Sequence, residues 1–175
     1  MKENSLYDKK SLREITGKNA DWNEVAKDCV AFSNAQGGVI DYGIEDDADA
    51  PPADQKVSED ITINLENKIS GKTLNVSAHA EILTHENGGQ YIRLHIARGT
   101  SSASTTSGKY FTRVSDNSVP LTGDDITRLS AEKGYYRWED EESKWSWKDA
   151  DKEKLIMLLQ NLRNSNRVSD FVKQK

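Results

Sequence analysis

Apolar residues recur at three- and four-residue spacing between Asp21 and Asn34, as Trp22, Val25, Ala26, Cys29 and Val30, and predict an amphipathic helix opened by an Asp21/Glu24 capping box. Gly37 and Gly38 end it, because glycine takes the left-handed conformation that stops a helix at no steric cost. Strict alternation from Val39 to Ile44 predicts a strand with Ile40, Tyr42 and Ile44 on one face. Ser58 then caps a second helix whose buried edge is Ile61, Leu65 and Ile69. Leu74, Val76, Ala78, Ala80 and Ile82 alternate along a strand, Glu86–Asn87–Gly88–Gly89 turns the chain, and Tyr91 to Ala97 returns as the other arm of a hairpin. Thr100 to Gly108 reads as a mobile Ser/Thr/Gly tract, and residues 109–114 as a further strand. A short helix with Ile126 and Leu129 starts at Thr122–Asp125, and Leu155, Leu158, Leu159 and Leu162 mark an amphipathic helix from about Asp149.

Composition narrows what such a chain does. It has 175 residues, enough for one ordinary domain and an appendage, and its hydrophobic fraction of 35% against 30% charged describes a polar chain. Its apolar runs fall far short of the roughly 20 residues that cross a bilayer, and Met1 to Ser5 leads into charged sequence with no apolar leader. No membrane association is expected. Cys29 is the only cysteine, so an intrachain disulfide and a multi-cysteine zinc site are excluded, and a reducing cytoplasm is the expected compartment.

The net charge of -5 argues against a uniformly basic wrapper of nucleic acid, yet the charge is unevenly spread: acidic from Gly38 to Asp60, basic from Lys152 to Lys175. Gly71–Lys72–Thr73 has the look of a phosphate-loop tail, but Glu66 stands where the earlier glycine is needed and a strand follows, so it reads as a turn. His79, His85 and His95 hold no metal-ligand spacing, and His79 and His95 fall on opposite arms of the hairpin. Cys29 lies on the apolar stripe and reads as core. Asp41, Glu45, Asp46 and Asp47 leave a buried strand and are the candidates for a divalent cation, although a solvated acidic loop explains the same residues at no cost and is the preferred reading. For binding, the useful residues are Arg93 and Arg98 on the hairpin and Lys109, Tyr110, Arg113 and Ser115 on the next strand, where cations and an aromatic side chain can clamp phosphates and stack a base. A half-exposed sheet made soluble by arginines explains the same residues.

The run from Val30 to Asp46, VAFSNAQGGVIDYGIED, resembles the signature of the Schlafen/AlbA-like domain, approximately AFANTxGGxLxIGVxDD. Gly108 to Ser115 resembles that family's GxxYxRxGS strand, and Pro120–Leu121–Thr122 through Leu129 the helix after it. The likeness covers about Ser11 to Lys133. It implies an α+β domain, a mixed β-sheet with flanking helices, that binds DNA or RNA in a bacterial transcriptional regulator or defence protein. A connector of aromatic and acidic residues, 134–148, and a helical extension, 149–175, would follow, the extension reading as cut from a longer protein.

On that resemblance Arg93, Arg98, Lys109 and Arg113 meet phosphates, Tyr110 supports a base or sugar, and the Gly37–Gly38 turn allows close backbone approach. No cofactor is expected for binding. Some Schlafen members cleave RNA with carboxylates and a metal, and here Glu14 and Asp46 match two of those positions, with Mg2+ or Mn2+ as the ion. Lys9 stands where the first glutamate of that motif falls and Thr16 where its lysine falls, unless Asp8 and Lys18 serve in a shifted register; Asp41 replaces an apolar residue. A metal-dependent ribonuclease is therefore the second reading. A protein-interaction or homo-oligomerisation module docking through Trp138, Trp145 and Trp147, in a divergent AAA-type ATP-binding protein, is the third.

Overall fold

A computed structural model describes residues 3–134 and 151–164 of the chain. The chain divides into two units, Met1–Tyr136 and Arg137–Lys175. The connector expected at 134–148 lies, beyond Gly134, outside the described residues, and so do its tryptophans.

The first unit is built on a four-stranded mixed sheet. Strands β1 (Tyr7–Lys10) and β2 (Gly38–Tyr42) run parallel, β2 pairs antiparallel with β5 (Gln90–Ile96), and β5 with β4 (Ala78–Thr84), in the order β1-β2-β5-β4. β1 precedes the Ser11 boundary that the sequence suggested. Its Tyr-Asp-Lys-Lys carries no apolar alternation, and it forms a strand because β2 and the chain around it offer a paired, buried slot.

Helix α1 (Trp22–Asn34) forms where expected, and Asp21 Oδ1 accepts the N–H groups of Asn23 and Glu24. Gly37 ends it at φ 74°, its N–H donating to Phe32 O at 2.8 Å. A side chain on Gly37 would lie 2.7 Å from Ile96 O and Arg98 N. α1 is buried on more than its apolar stripe, Ala31, Ser33 and Asn34 included, because two layers cover it. One is the sheet with helix α2 (Glu59–Lys72), whose Leu65 and Ile69 join Cys29, Phe32, Ile40, Tyr42, Ile92 and Leu94 in the core. The other is a hairpin of β7 (Tyr110–Val114) and β8 (Asn117–Leu121).

Three expectations change. The strand read from Leu74 to Ile82 is interrupted: a short β3 (Thr73–Leu74) pairs with β6 (Ser104–Thr105), and Asn75 at φ 60° breaks the run before β4 begins. The tract from Thr100 to Gly108 is anchored rather than mobile. Buried Asn34 donates to Ala103 O and Phe111 O, each at 2.8 Å, and accepts from Ala103 N at 2.8 Å. Pro120 and Leu121 belong to β8, not to the helix after it; Pro120 lies opposite Phe111, and α3 (Asp124–Gly134) starts later. Lys133 of α3 is buried and donates to Ser33 O and Gly99 O at 2.7 and 2.8 Å, and burial lowers its pKa.

In the second unit, α4 (Lys152–Asn164) is a helix whose Glu153 and Lys154 N–H groups donate to Asp151 Oδ1.

Candidate nucleic-acid interface

Strand alternation sorts the charged residues of the sheet before any contact is considered. Asp8, Ile40, Leu94 and Ala80 face the helices, and the next rung on the opposite face runs Lys9, Asp41, Arg93, Glu81, each abreast of its neighbour. That rung alternates in sign and holds itself together. Arg93 Nε and Nη2 donate to Asp41 Oδ1 and Oδ2, both at 2.8 Å, and Tyr7 Oη donates to Asp41 Oδ2 at 3.0 Å. Burial and the carboxylate together raise the pKa of Tyr7. Lys9 Nζ reaches the carbonyls of Asp46 and Ala48 at 2.8 Å, tying the acidic loop down. A phosphate approaching Arg93 would have to displace a bidentate carboxylate on a residue only 1% exposed.

Arg113 is committed inside the molecule. Its side chain is 2% exposed, its Nη2 lies 2.9 Å from Asp8 Oδ2, its guanidinium stacks 4.6 Å from the Phe32 ring, and Ser118 accepts from its Nη1 at 3.4 Å. Ser118 Oγ in turn donates to Asp28 Oδ1 at 2.6 Å, so the β7–β8 hairpin is fastened to β1 and α1 through polar groups. Burial pushes the Asp8 carboxyl up to about 6 despite Lys10 and Arg113 beside it. Ser115 sits in the exposed hairpin turn at φ 54°, and Tyr110 is half-buried opposite Leu121. The Gly37–Gly38 turn is packed by its own chain: a Cβ on Gly38 would meet the Phe32 ring at 2.5 Å and Leu6 O at 2.6 Å. The expected strip on the sheet is therefore divided, with Arg93 and Arg113 paired internally.

Arg98 is exposed and loosely paired with Glu132 at 3.5 Å. It opens on a cleft of about 670 Å³ lined also by Asp125, Arg128 and Glu132, in which arginine and carboxylate charges balance.

Lys109 has a different setting. It lines a groove of about 370 Å³ together with Lys27 of α1 and Lys72 at the end of α2, and with Asn23, Thr105, Thr106 and Ser107, against the single carboxylate of Glu24. The walls are fixed: Thr106 N–H donates to Lys72 O at 2.9 Å, Gly108 N–H to Thr105 O at 2.9 Å, and Lys109 N–H to Thr105 Oγ1 at 3.1 Å. Lys72 Nζ donates to Asn23 Oδ1 at 3.0 Å, Lys27 pairs with Glu24, and Lys68, one turn before Lys72, lies over the Trp22 ring at 5.9 Å. Three ammonium groups, hydroxyls and an amide thus line one recess, a combination of groups able to contact phosphate oxygens. Of the groove lysines, sequence reasoning found Lys109 and missed Lys27 and Lys72. The lysines at 68 and 72 share a helix face, and Lys72 ends α2 within the Gly71–Lys72–Thr73 segment, the expected junction of helix and strand, where Thr73 opens β3.

Burial is the main cause of the raised Glu14 pKa, with like charge from Asp28, Asp8 and, least, Asp46 adding to it. Their surroundings do not fit a divalent ion. The Lys10 ammonium acts on both Glu14 and Asp8, Asp8 is already held by Lys10 and Arg113, and a fixed cation repels a second one. Among the described residues no group of three His, Cys, Asp or Glu side chains surrounds one point.

The family model described as Schlafen, AlbA_2 matches residues 3–122. No curated protein matches the chain. Among solved structures, the DIP2311 protein from Corynebacterium diphtheriae is similar over 95% of this chain and 35% of that one, with a TM-score of 0.52 and 15% identity. The present chain thus spans about a third of that protein, and the likeness is one of fold.

Proposed function

Given that this chain belongs to the Schlafen, AlbA_2 family, we propose that its first unit binds the sugar–phosphate backbone of DNA or RNA in the groove between the start of α1, the end of α2 and the turn before β7. The observation that carries this reading is the convergence of Lys27, Lys72 and Lys109 on one recess lined by Asn23 and three hydroxyl side chains. Lysine supplies a mobile point charge to a phosphate, and hydroxyl and amide groups fix its orientation without reading sequence. A chain of net charge -5 can hold a polyanion there because charges beyond the Debye length, about 8 Å at physiological salt, are screened. Binding through lysines and hydroxyls needs no cofactor.

The test is filter binding of single- and double-stranded DNA and RNA of equal length across ionic strength, comparing the parent with the Lys72→Glu/Lys109→Glu variant. Each phosphate that a lysine no longer neutralises flattens the salt dependence by about 0.7 for a single strand and about 0.9 for a duplex. With two lysines replaced, that slope should become shallower by about 1.4 to 1.8, with weaker binding throughout. Equal affinity and slope at every salt concentration would overturn the groove as the site.

A further inference from the structure

His79 of β4 and His95 of β5 are direct cross-strand partners, on the same face of the sheet as Arg93 and Glu81. Opposed residues of an antiparallel pair project from the same face with Cβ atoms about 5 Å apart. Both rings are open to solvent, and among the described residues each is held at one nitrogen. His79 Nδ1 is 3.0 Å from Glu66 Oε1, and His95 Nε2 is 2.8 Å from Glu81 Oε1.

The partners fix the chemistry of the other nitrogens. An ionised carboxylate only accepts, so each ring must donate to it, and a neutral imidazole that donates at one nitrogen carries its lone pair on the other. That leaves His79 Nε2 and His95 Nδ1 as bases on neighbouring strands, each ring bonded to a carboxylate through its other nitrogen. A histidine bound to metal is typically supported in this way, its second N–H given to a carboxylate that sets the tautomer and strengthens the ligand. Glu66 is itself held, accepting Ala80 N–H at 2.7 Å through the same oxygen. Glu81 lies beside Arg93, whose guanidinium is turned to Asp41.

We propose that the His79–His95 pair is a surface site for a divalent transition ion of the Zn2+, Ni2+ and Cu2+ group, with Glu66 and Glu81 as its outer support. Imidazole nitrogen suits these ions, whereas Mg2+ and Ca2+ require oxygen ligands. Because no three His, Cys, Asp or Glu side chains among the described residues surround one point, the two ring nitrogens supply two positions and the rest stay open to water or to a ligand from a partner. An ion there would clip the outermost strand of the sheet to its neighbour. The site lies apart from the lysine groove and does not depend on the nucleic-acid reading.

The test is isothermal titration of the whole chain, free of any added histidine tag, with Zn2+ and Ni2+ and with Mg2+ as control. One Zn2+ or Ni2+ per chain is expected, with no heat from Mg2+. Binding should be abolished in the His79→Ala/His95→Ala variant, weakened about 10- to 100-fold in Glu81→Ala, and unchanged in His85→Ala. These side chains are on the surface, so the variants should melt with the metal-free parent. A parent that takes up no ion, or a double variant that binds as the parent does, would overturn the proposal.

Discussion

Asp41 and Arg93 face each other across β2 and β5 and are joined by two parallel hydrogen bonds of 2.8 Å, with the carboxylate buried and the guanidinium about one-third exposed. Removing the arginine strands a charge in a place water scarcely reaches. Arg93→Ala should therefore destabilise the first unit by about 3 kcal/mol, the scale set by breaking a buried pair, as urea unfolding would measure. Affinity for nucleic acid, measured where the variant is still folded, should stay within about twofold of the parent if phosphate contacts lie at the lysine groove.

Asn34 carries three hydrogen bonds to the backbone of Ala103 and Phe111. Alanine at this position leaves buried donors and acceptors unmatched, at about 1–3 kcal/mol each when nothing replaces the partner. Asn34→Ala should lower stability by at least about 2 kcal/mol. Hydrogen exchange should show protection falling first at Ala103 and through residues 100–108. Since that tract forms one wall of the lysine groove, affinity should fall with it.

Gly37 holds a left-handed backbone with Ile96 O and Arg98 N at 2.7 Å from where a Cβ would stand. Both neighbours are backbone and cannot swing aside. Gly37→Ala combines about 1–2 kcal/mol of conformational cost with a clash the chain cannot relieve. The expected result is a variant with a clearly lower melting temperature, seen by circular dichroism.

Burial raises the Asp8 carboxyl from 3.8 to about 6. A group that holds its proton more tightly when folded gives stability that is fully present below its unfolded pKa and is lost as pH rises through its folded one. Asp8 should thus subtract on the order of 2–3 kcal/mol as pH climbs from about 4 to about 6. Glu14, also raised, adds to the same trend. Comparing the pH dependence of unfolding for the parent and Asp8→Asn isolates the contribution: the difference between them should change across that interval and be flat above it.

Where hydrophobic periodicity was strong, the fold was legible: α1, its capping residue and its glycine stop, β2, and the β4–β5 hairpin from Ala78 onward form as their patterns predict, although the run from Leu74 breaks at Asn75. Elements held by tertiary contacts were not. β1 is a strand because it completes a sheet, and residues 100–108 are ordered because Asn34 satisfies them from far along the chain. The site was legible only at Lys109. Residue type told apart arginine from aspartate, but not an arginine with a carboxylate opposite from one facing water; Arg93 and Arg113 look as available in sequence as Lys109 does. Register decides the matter, and it likewise sets His79 against His95, which one-dimensional spacing keeps sixteen positions apart.

Glu66 also bears on the border of the sheet. β4 is an outermost strand, and an unpaired border strand invites another chain to extend the ladder and grow a fibre. The Glu66 carboxylate already occupies the N–H of Ala80 in the middle of β4. An incoming polypeptide would have to evict an anion at Ala80 before it could add on there, so the same side chain that bonds His79 also makes this rim a poorer template for chain addition.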